Sequence, residues 1–543
     1  MALSAWFERS DPQPGAPGLR TLNVSHSEWR QAIGDLAAAD VRLVAMWASR
    51  DGAVPVPAAS AVHEASPAQP VATVHAMFLA RPGGLTLNLR HEDPHAPYPG
   101  LETLFPCAAR MQRALADLSG LHSTATDTRP WLRHAAWASS YRPLMDSPET
   151  AAAASGAAAS DAAAAPATAA PAIEAYEFVR VEGEGVHEIA VGPVHAGSIE
   201  PGHFRCTVVG EKVLKLEERF GYAHKGIELR FTQLPILEGH RLAARVSGDS
   251  AVAFSWAYCQ ALEGSAGMAI PSRAAWLRAL GLELERIANH LGDIGALGND
   301  AGFAFGQSQF SRLKEYVLRA TQEALGARYL MDFVVPGGTR VDITDSGIRI
   351  LDEVAGMLEQ EIPTLRTIYD EHEGVRDRFT GTGTVTAELA QRLGLTGLAG
   401  RASGQAYDLR ADLPCAPYTA LAPVKCTRTA GDVGARVAVR FDELQESCRL
   451  LRRILEMLPA GPHIGDVSAP ADGAVGVGLI EGWRGPVLVA LHAGPEGTIR
   501  RCHPHDPSWQ NWPVIEHAII GNIIADLPII NKSFNLAYSG HDL

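Results

Sequence analysis

The stretch Arg273–Leu297, "RAAWLRALGLELERIANHLGDIGAL", decides the architecture, because its apolar residues recur at helical spacing along its whole length. Three more segments have the same texture: "SRLKEYVLRATQEALGARYL" (311–330), "GIRILDEVAGMLEQEIPTLRTIYDEH" (347–372) and "VAVRFDELQESCRLLRRILEML" (437–458), the last stopped by Pro459. From about Leu234 onward the chain is therefore expected to be mainly helical. Ahead of it, 176–228 alternates like antiparallel strands. Behind it, "GVGLIEGWRGPVLVALHAGPEGTIRRCHP" (476–504) reads as a hairpin, and "WPVIEHAIIGNIIADLPIINKSF" (512–534) as one buried helix. The latter is interrupted by Glu516, His517, Asn522, Asp526 and Pro528, so it does not read as a membrane span.

The N-terminal part differs. "VRLVAMWASRDG" (41–52) and "VATVHAMFLARPGGLTLNLRHE" (71–92) look like strands, and "GLETLFPCAARMQRALADLSGL" (100–121) like an amphipathic helix. Between the two parts lies an Ala-rich run, Ser147–Ala172, broken by Gly156, Pro166 and Pro171. It offers nothing to pack and reads as a flexible tether. The expected organisation is α+β: a small α/β domain over 1–146, the linker over 147–172, and a mainly helical domain over 173–543 that opens with antiparallel strands.

Bulk composition excludes several classes. At 543 residues the chain is long enough for two or more domains, and 46% hydrophobic residues make it globular. A formal charge of −14 argues against a nucleic-acid binder. The seven cysteines (Cys107, Cys206, Cys259, Cys415, Cys426, Cys448, Cys502) never fall at C-x-x-C spacing, which points to a reducing compartment and excludes a self-contained clustered iron–sulfur site. The first residues lack a basic stretch followed by an apolar core, so no signal peptide is expected.

Seven blocks then occur in order: "VGPVHAGSIEPGHFR", "GYAHKGIE", "ELERIANHLGDIG", "GLTGLAGRASGQAYDLR", "GDVGARVAVRFDELQES", "EGWRGPV" and "NWPVIEHAIIGNIIADLPIINKSFNLAYS". Together they resemble the large subunit of membrane-bound, energy-converting (group 4) nickel–iron hydrogenases, a family related to the quinone-pocket subunit of respiratory complex I. The resemblance spans about 173–543. The first 140 or so residues are similar, more weakly, to the small peripheral subunit of complex I, which the hydrogenase branch often carries as a fusion.

The resemblance implies two C-x-x-C pairs whose thiolates hold nickel and bridge it to iron. Here the first pair falls on Ser247 and Ser250, in "SGDS", and the second on Ala537 and Gly540, in "NLAYSGHDL". A histidine that commonly follows the first pair falls on Phe254. A serine hydroxyl is a hard, weak ligand and does not replace a soft thiolate bridge. No nickel–iron centre is expected. The complex I branch implies a histidine and a tyrosine for quinone, and these positions hold Ile199 and Gly248. His195 is present, as it is in the hydrogenase branch.

Glu228, in "GYAHKGIE", matches the glutamate that relays protons in the family. A partly buried carboxyl with a raised pKa suits that work, with His224 sharing the path. The alternative is a surface glutamate paired with Lys225 or Arg230. Asp249 allows a hard-cation site with Ser247, Ser250 and His541, but an Asp or Ser ahead of a helix is more often its N-cap, and the cap is the favoured reading. Arg245, Arg401, Arg410, Arg436 and Arg484 either line the small-subunit interface and old metal pocket or make structural ion pairs with Asp408, Asp432 or Glu446. The glycines of "GLTGLAGRASG" lack a phosphate-cradle spacing, so no direct NAD binding is expected.

The functional expectation is a non-hydrogenase large subunit of a complex I-like, membrane-associated redox complex. It binds no cofactor itself, docks an iron–sulfur small subunit and antiporter-like membrane-arm subunits, and sits in the cytoplasm on the inner face of the cell membrane. Two alternatives stay open: an oxidoreductase that reduces quinone in the vacated pocket, and a structural scaffold.

Overall fold

The computed structural model describes residues 2–50, 72–81, 83–91, 93, 96–134, 141–145, 176–195 and 199–543. The chain forms two compact units, one of Met1–Pro12 with Gly18–Glu177 and one of Gln13–Pro17 with Phe178–Leu543. The proposed tether at 147–172 lies outside the described residues.

The first unit is a five-stranded sheet with helices. Its strands β1 (Asp11–Pro12), β2 (Leu19–Val24), β3 (Arg42–Arg50), β4 (Ala72–Ala80) and β5 (Gly83–His91) stand in the order β1-β2-β5-β4-β3. Only β2 and β5 run parallel; the other pairs are antiparallel. β4 is an interior strand buried on both faces, with Val74, Ala76, Met77 and Phe78 fully buried. Helix α1 (His26–Ala38) starts at a capping box in which Ser25 and Glu28 satisfy each other's backbone N–H. Helix α2 (Ala108–Ser119) stops at Gly120, whose φ of 77° is the left-handed conformation of a helix C-terminus.

The second unit opens with the antiparallel sheet β6 (Val186–Val191), β7 (His203–Val209) and β8 (Lys212–Arg219). After the short helix α3 (Ile227–Phe231) come α4 (Ala251–Ala266), α5 (Ser272–Asp300), α6 (Ala304–Leu325), α7 (Asp345–Glu371) and α8 (Val433–Met457). α5 is the axis of the unit. Most of its middle is buried, including Glu283, Arg286 and His290, each at 0% exposure. Burying a charge without a partner is costly. Glu283 accepts from Arg410, Tyr418 and Ser447, His290 meets Glu443 at 2.9 Å, and Arg440 of α8 meets Asp293 at 2.9 Å.

Two sequence expectations change here. Residues 476–504 contribute not to a hairpin alone but to a three-stranded meander, β9 (Val475–Glu481), β10 (Pro486–Ala493) and β11 (Ile499–His505). The apolar run at 512–534 is not one helix but two, α9 (Ser508–Ala518) and α10 (Leu527–Phe534). Gly521 breaks it at φ 83°, and Pro528 sits in the first turn of α10, where its missing N–H costs nothing. The linking residues pair with the edge of β8, through Val213 N to the Asn522 carbonyl at 2.9 Å and Gly521 N to the Val213 carbonyl at 3.0 Å. Among the described residues no helix is long and apolar enough to cross a membrane.

Candidate functional site

The turn between β9 and β10 builds the centre of the site. Arg286 of α5 donates to the Glu481 and Gly482 carbonyls and pins the turn, so the next two residues project from a fixed base. Trp483 Nε1 donates to the Asp249 carbonyl at 2.8 Å, and Asn289 Nδ2 donates to the same oxygen at 2.8 Å. The Arg484 guanidinium lies over the Trp483 ring, 4.0 Å from its centroid, and binds the Asp249 carboxylate through both terminal nitrogens, one at 2.7 Å. Ser247 Oγ donates to the same carboxylate at 2.7 Å, and the more distant Ser250 Oγ lies at 3.4 Å from it. Burial pushes the Asp249 carboxyl up, but Arg484 outweighs it and holds the group at about 2. Asp249 and Arg484 are therefore a formed ion pair.

This arrangement corrects the cap reading. Ser250 occupies the N-cap position of α4 without a side-chain cap bond. The orphan N–H groups of Val252 and Ala253 are instead satisfied by Glu285 of α5, at 2.7 and 3.3 Å. Nothing in the spacing of the sequence links Glu285 to Val252. Burial pushes the Glu285 carboxyl up to about 8, against the pull of those two donors.

The four expected ligand positions gather in one region. Ser247 and Ala537 both line a cavity of about 740 Å³, with Arg484 and Asp249 in its wall and His195, Ile199, Gly248 and Tyr538 around it. Ala537 is set by its backbone, which accepts from Trp512 Nε1 at 3.2 Å and donates to Ser508 Oγ at 2.9 Å. Gly540 packs on the Asp506 carboxyl, where a Cβ would stand 2.6 Å from Oδ2. Its φ is not positive, so the crowding by Asp506, rather than backbone conformation, is what a side chain would meet. Asp506 Oδ2 is buried with no hydrogen-bond partner among the described residues, and burial raises its pKa although Arg484 opposes the shift.

This donor set does not fit a nickel–iron centre. It offers two hydroxyls, a methyl group and a glycine, and an arginine already neutralises the one carboxylate between them. None of the cysteines lines the cavity, and five of the seven are buried. The hard-cation reading fails for the same reason: Arg484 takes the place of a metal on Asp249. His541, its suggested fourth ligand, stacks on Trp509 at 4.0 Å and places Nδ1 against its neighbour Asp542. Among the described residues no group of three or more His, Cys, Asp or Glu is placed to hold a metal.

Glu228 does not line the cavity. It is buried at 2% exposure and meets Arg501 at 2.7 Å and His503 Nδ1 at 2.6 Å, both from β11. Burial pushes its carboxyl up, but Arg501 and His503 hold it at about 2, the reverse of the raised pKa that a proton relay needs. Its partners are neither Lys225 nor Arg230. His224 points elsewhere, with Nδ1 2.7 Å from the Asp542 carbonyl.

The arginines divide. Arg401 binds Glu443 at 2.7 Å and Glu481 at 2.8 Å, and Arg410 binds Asp408 at 2.8 Å, all deep in the core. Arg436 is buried without an ion pair among the described residues. It donates to Ser533 Oγ and to the Gly431 and Gly383 carbonyls, and burial pulls it down to about 9. Arg245 pairs with Asp332 near the surface. Asp432 caps α8 through Ala435 N at 2.7 Å, and Glu446 binds Arg449. Of the five, only Arg484 reaches the cavity.

Several known proteins are similar to this chain. Residues 300–472 match the family described as the respiratory-chain NADH dehydrogenase 49 Kd subunit. The carbon monoxide-induced hydrogenase of Rhodospirillum rubrum is 32% identical over 356 residues, a match covering 64% of this chain and 97% of that protein. The chain belongs to the family of hydrogenase large subunits and complex I 49 kDa subunits. Formate hydrogenlyase subunit 5 of Escherichia coli (strain K12), another relative, is 31% identical over 372 residues; the match covers 68% of this chain and 65% of that protein. An NADH-quinone oxidoreductase subunit of Bacteroides thetaiotaomicron is 27% identical, with 66% of this chain and 68% of that one covered. A chain of the membrane-bound sulfane sulfur reductase, an archaeal respiratory membrane complex, superposes with a TM-score of 0.63 at 25% identity, covering 66% of this chain and 99% of that one. The Asp249–Arg484 pair lies between Ser247 and Ser250, the residues at which the resemblance implies the first pair of thiols.

Proposed function

We propose that this chain is the large subunit of a complex I-like, hydrogenase-related redox complex and has no hydrogenase activity of its own. The observation that carries the reading is the Asp249–Arg484 ion pair, which with Ser247 and Ser250 fills the frame of a thiolate site. In this role the chain docks an iron–sulfur small subunit and a membrane arm. It works by coupling: a change of charge in the neighbouring cluster biases the ion pair and the loops that carry it. Membrane attachment then comes through partners, on the inner face of the membrane.

A second reading has one observation in its favour. The cavity of about 740 Å³ is of the size of small-molecule sites, and it presents Arg484, His195 and Tyr538. A quinone or another small acceptor reduced there would use different residues from the histidine and tyrosine of the complex I branch.

Metal analysis and hydrogen assays on the purified native complex test the first reading. Iron in partner clusters, no nickel, and no hydrogen uptake or evolution are expected. Nickel near one atom per chain would overturn it. Quinone-dependent oxidation of a donor by the same complex, abolished by filling the cavity with Ala537→Trp, would favour the second reading.

A further inference from the structure

The Ser247–Ser250 loop has a cavity on each side. Besides the large one, a smaller cavity of about 280 Å³ lies along α5 and α6, with Leu284, Ala288, Leu318 and Met331 as its apolar lining. Gly248 and Asp249 line both. Gly248 faces Met331, whose Cε would stand 3.7 Å from a Cβ placed on it.

The charged groups around the smaller cavity are not equivalent. Asp249 is engaged by Arg484, and Glu285 turns both oxygens to the start of α4. Arg328 is held by Glu315 at 2.6 Å. Lys314 of α6 differs, since among the described residues no carboxylate lies within ion-pair distance of it. The acids whose field reaches it, Asp293 and Asp249, are bound to Arg440 and Arg484. Its ammonium sits over Gly292, 2.8 Å from where a Cβ would be. Burial pulls its pKa down, as does Lys532. A partly desolvated cation beside an apolar pocket recognises one chemistry, an anionic head on a short apolar body.

We propose that this second cavity binds a small amphipathic carboxylate, its head on Lys314 and its chain against Leu284, Leu318 and Met331. The volume is just below the usual range of about 300–1,000 Å³ for ligand pockets, so the chain is short. Each added methylene should tighten binding about three- to fourfold until the pocket is full. The proposal is independent of nickel loss in the neighbouring cavity.

Calorimetric titration of the full chain with butanoate, hexanoate and octanoate tests it, with 1-octanol and n-octylammonium as head-group controls. Saturable one-site binding that strengthens along the series is expected, with octylammonium excluded. Lys314→Gln should weaken octanoate about tenfold and leave 1-octanol unchanged within twofold, while Lys314→Arg restores octanoate. Leu318→Trp should abolish binding by filling the pocket. Octylammonium binding as tightly as octanoate, a Lys314→Gln variant with wild-type affinity, or octanoate binding that survives Leu318→Trp would each overturn the proposal. So would the absence of saturable binding. If Leu318→Trp lowers the melting temperature, the Lys314 pair of variants decides the matter alone.

Discussion

Arg484 and Asp249 pair between Ser247 and Ser250, two of the positions where the resemblance implies thiolates, and breaking the pair has a calculable cost. Breaking a fully buried pair costs about 3–5 kcal/mol. Asp249 keeps 38% side-chain exposure toward the cavity, so about 2 kcal/mol is expected for Arg484→Met. Adding Asp249→Asn should return part of the loss, and a double-mutant cycle of thermal unfolding measures the coupling. Ser247→Cys with Ser250→Cys should be tolerated and bring in no nickel, since thiol and hydroxyl are close in size and two thiols lack their C-terminal partners. Ala537→Cys should be mild. Gly540→Cys should destabilise by crowding Asp506, and Asp506→Ala should relieve it. Glu228 sets a pH dependence. Its carboxyl is held at about 2 against an ordinary 4.5. Its stabilisation is therefore full above about pH 4.5 and is lost as the pH falls toward 2, an increment of about 3 kcal/mol. The gap in unfolding free energy between wild type and Glu228→Gln should shrink as the pH is lowered from 5 to 3; a constant gap would show that the pair carries no charge.

Among the elements, α4 depends on another helix for its start. Glu285→Ala should cost about 1–2 kcal/mol by orphaning the Val252 and Ala253 N–H groups, and hydrogen exchange at those amides should speed up selectively. Ser250→Ala should cost less, because Ser250 makes no side-chain cap bond. An equal cost for the two would return the cap to the serine. The long helices were legible in the sequence because each carries a continuous apolar stripe, as Arg273–Leu297 does. The break between α9 and α10 was not. Its apolar run continues through the linking residues, which bury themselves by pairing with β8 rather than by staying helical.

In the whole molecule, each unit has its own buried core, and the Ala-rich run at 147–172 holds no residue able to pack. Limited proteolysis should cut there first and release a fragment of roughly 145 residues from a stable C-terminal remainder. A first cut within α5 would show that the second unit is not the more stable part. Family membership was also legible, because seven ordered blocks carry the backbone of the second unit.

Local patterns in the sequence determined the elements of this protein: apolar stripes made the helices, alternation made the strands, and the four positions where the resemblance implies cysteines carry Ser247, Ser250, Ala537 and Gly540. Tertiary structure alone decided which charges meet. Asp249 is 235 residues from Arg484, Glu228 is 273 from Arg501, and Glu285 is 33 from Val252. No spacing rule reaches across such separations, because the pairing follows from helices and strands that pack by their apolar faces and only then bring polar groups together. The same packing places Glu228 between Arg501 and His503, which hold its carboxyl below the ordinary range, since a carboxyl's pKa is set by the charges beside it in space.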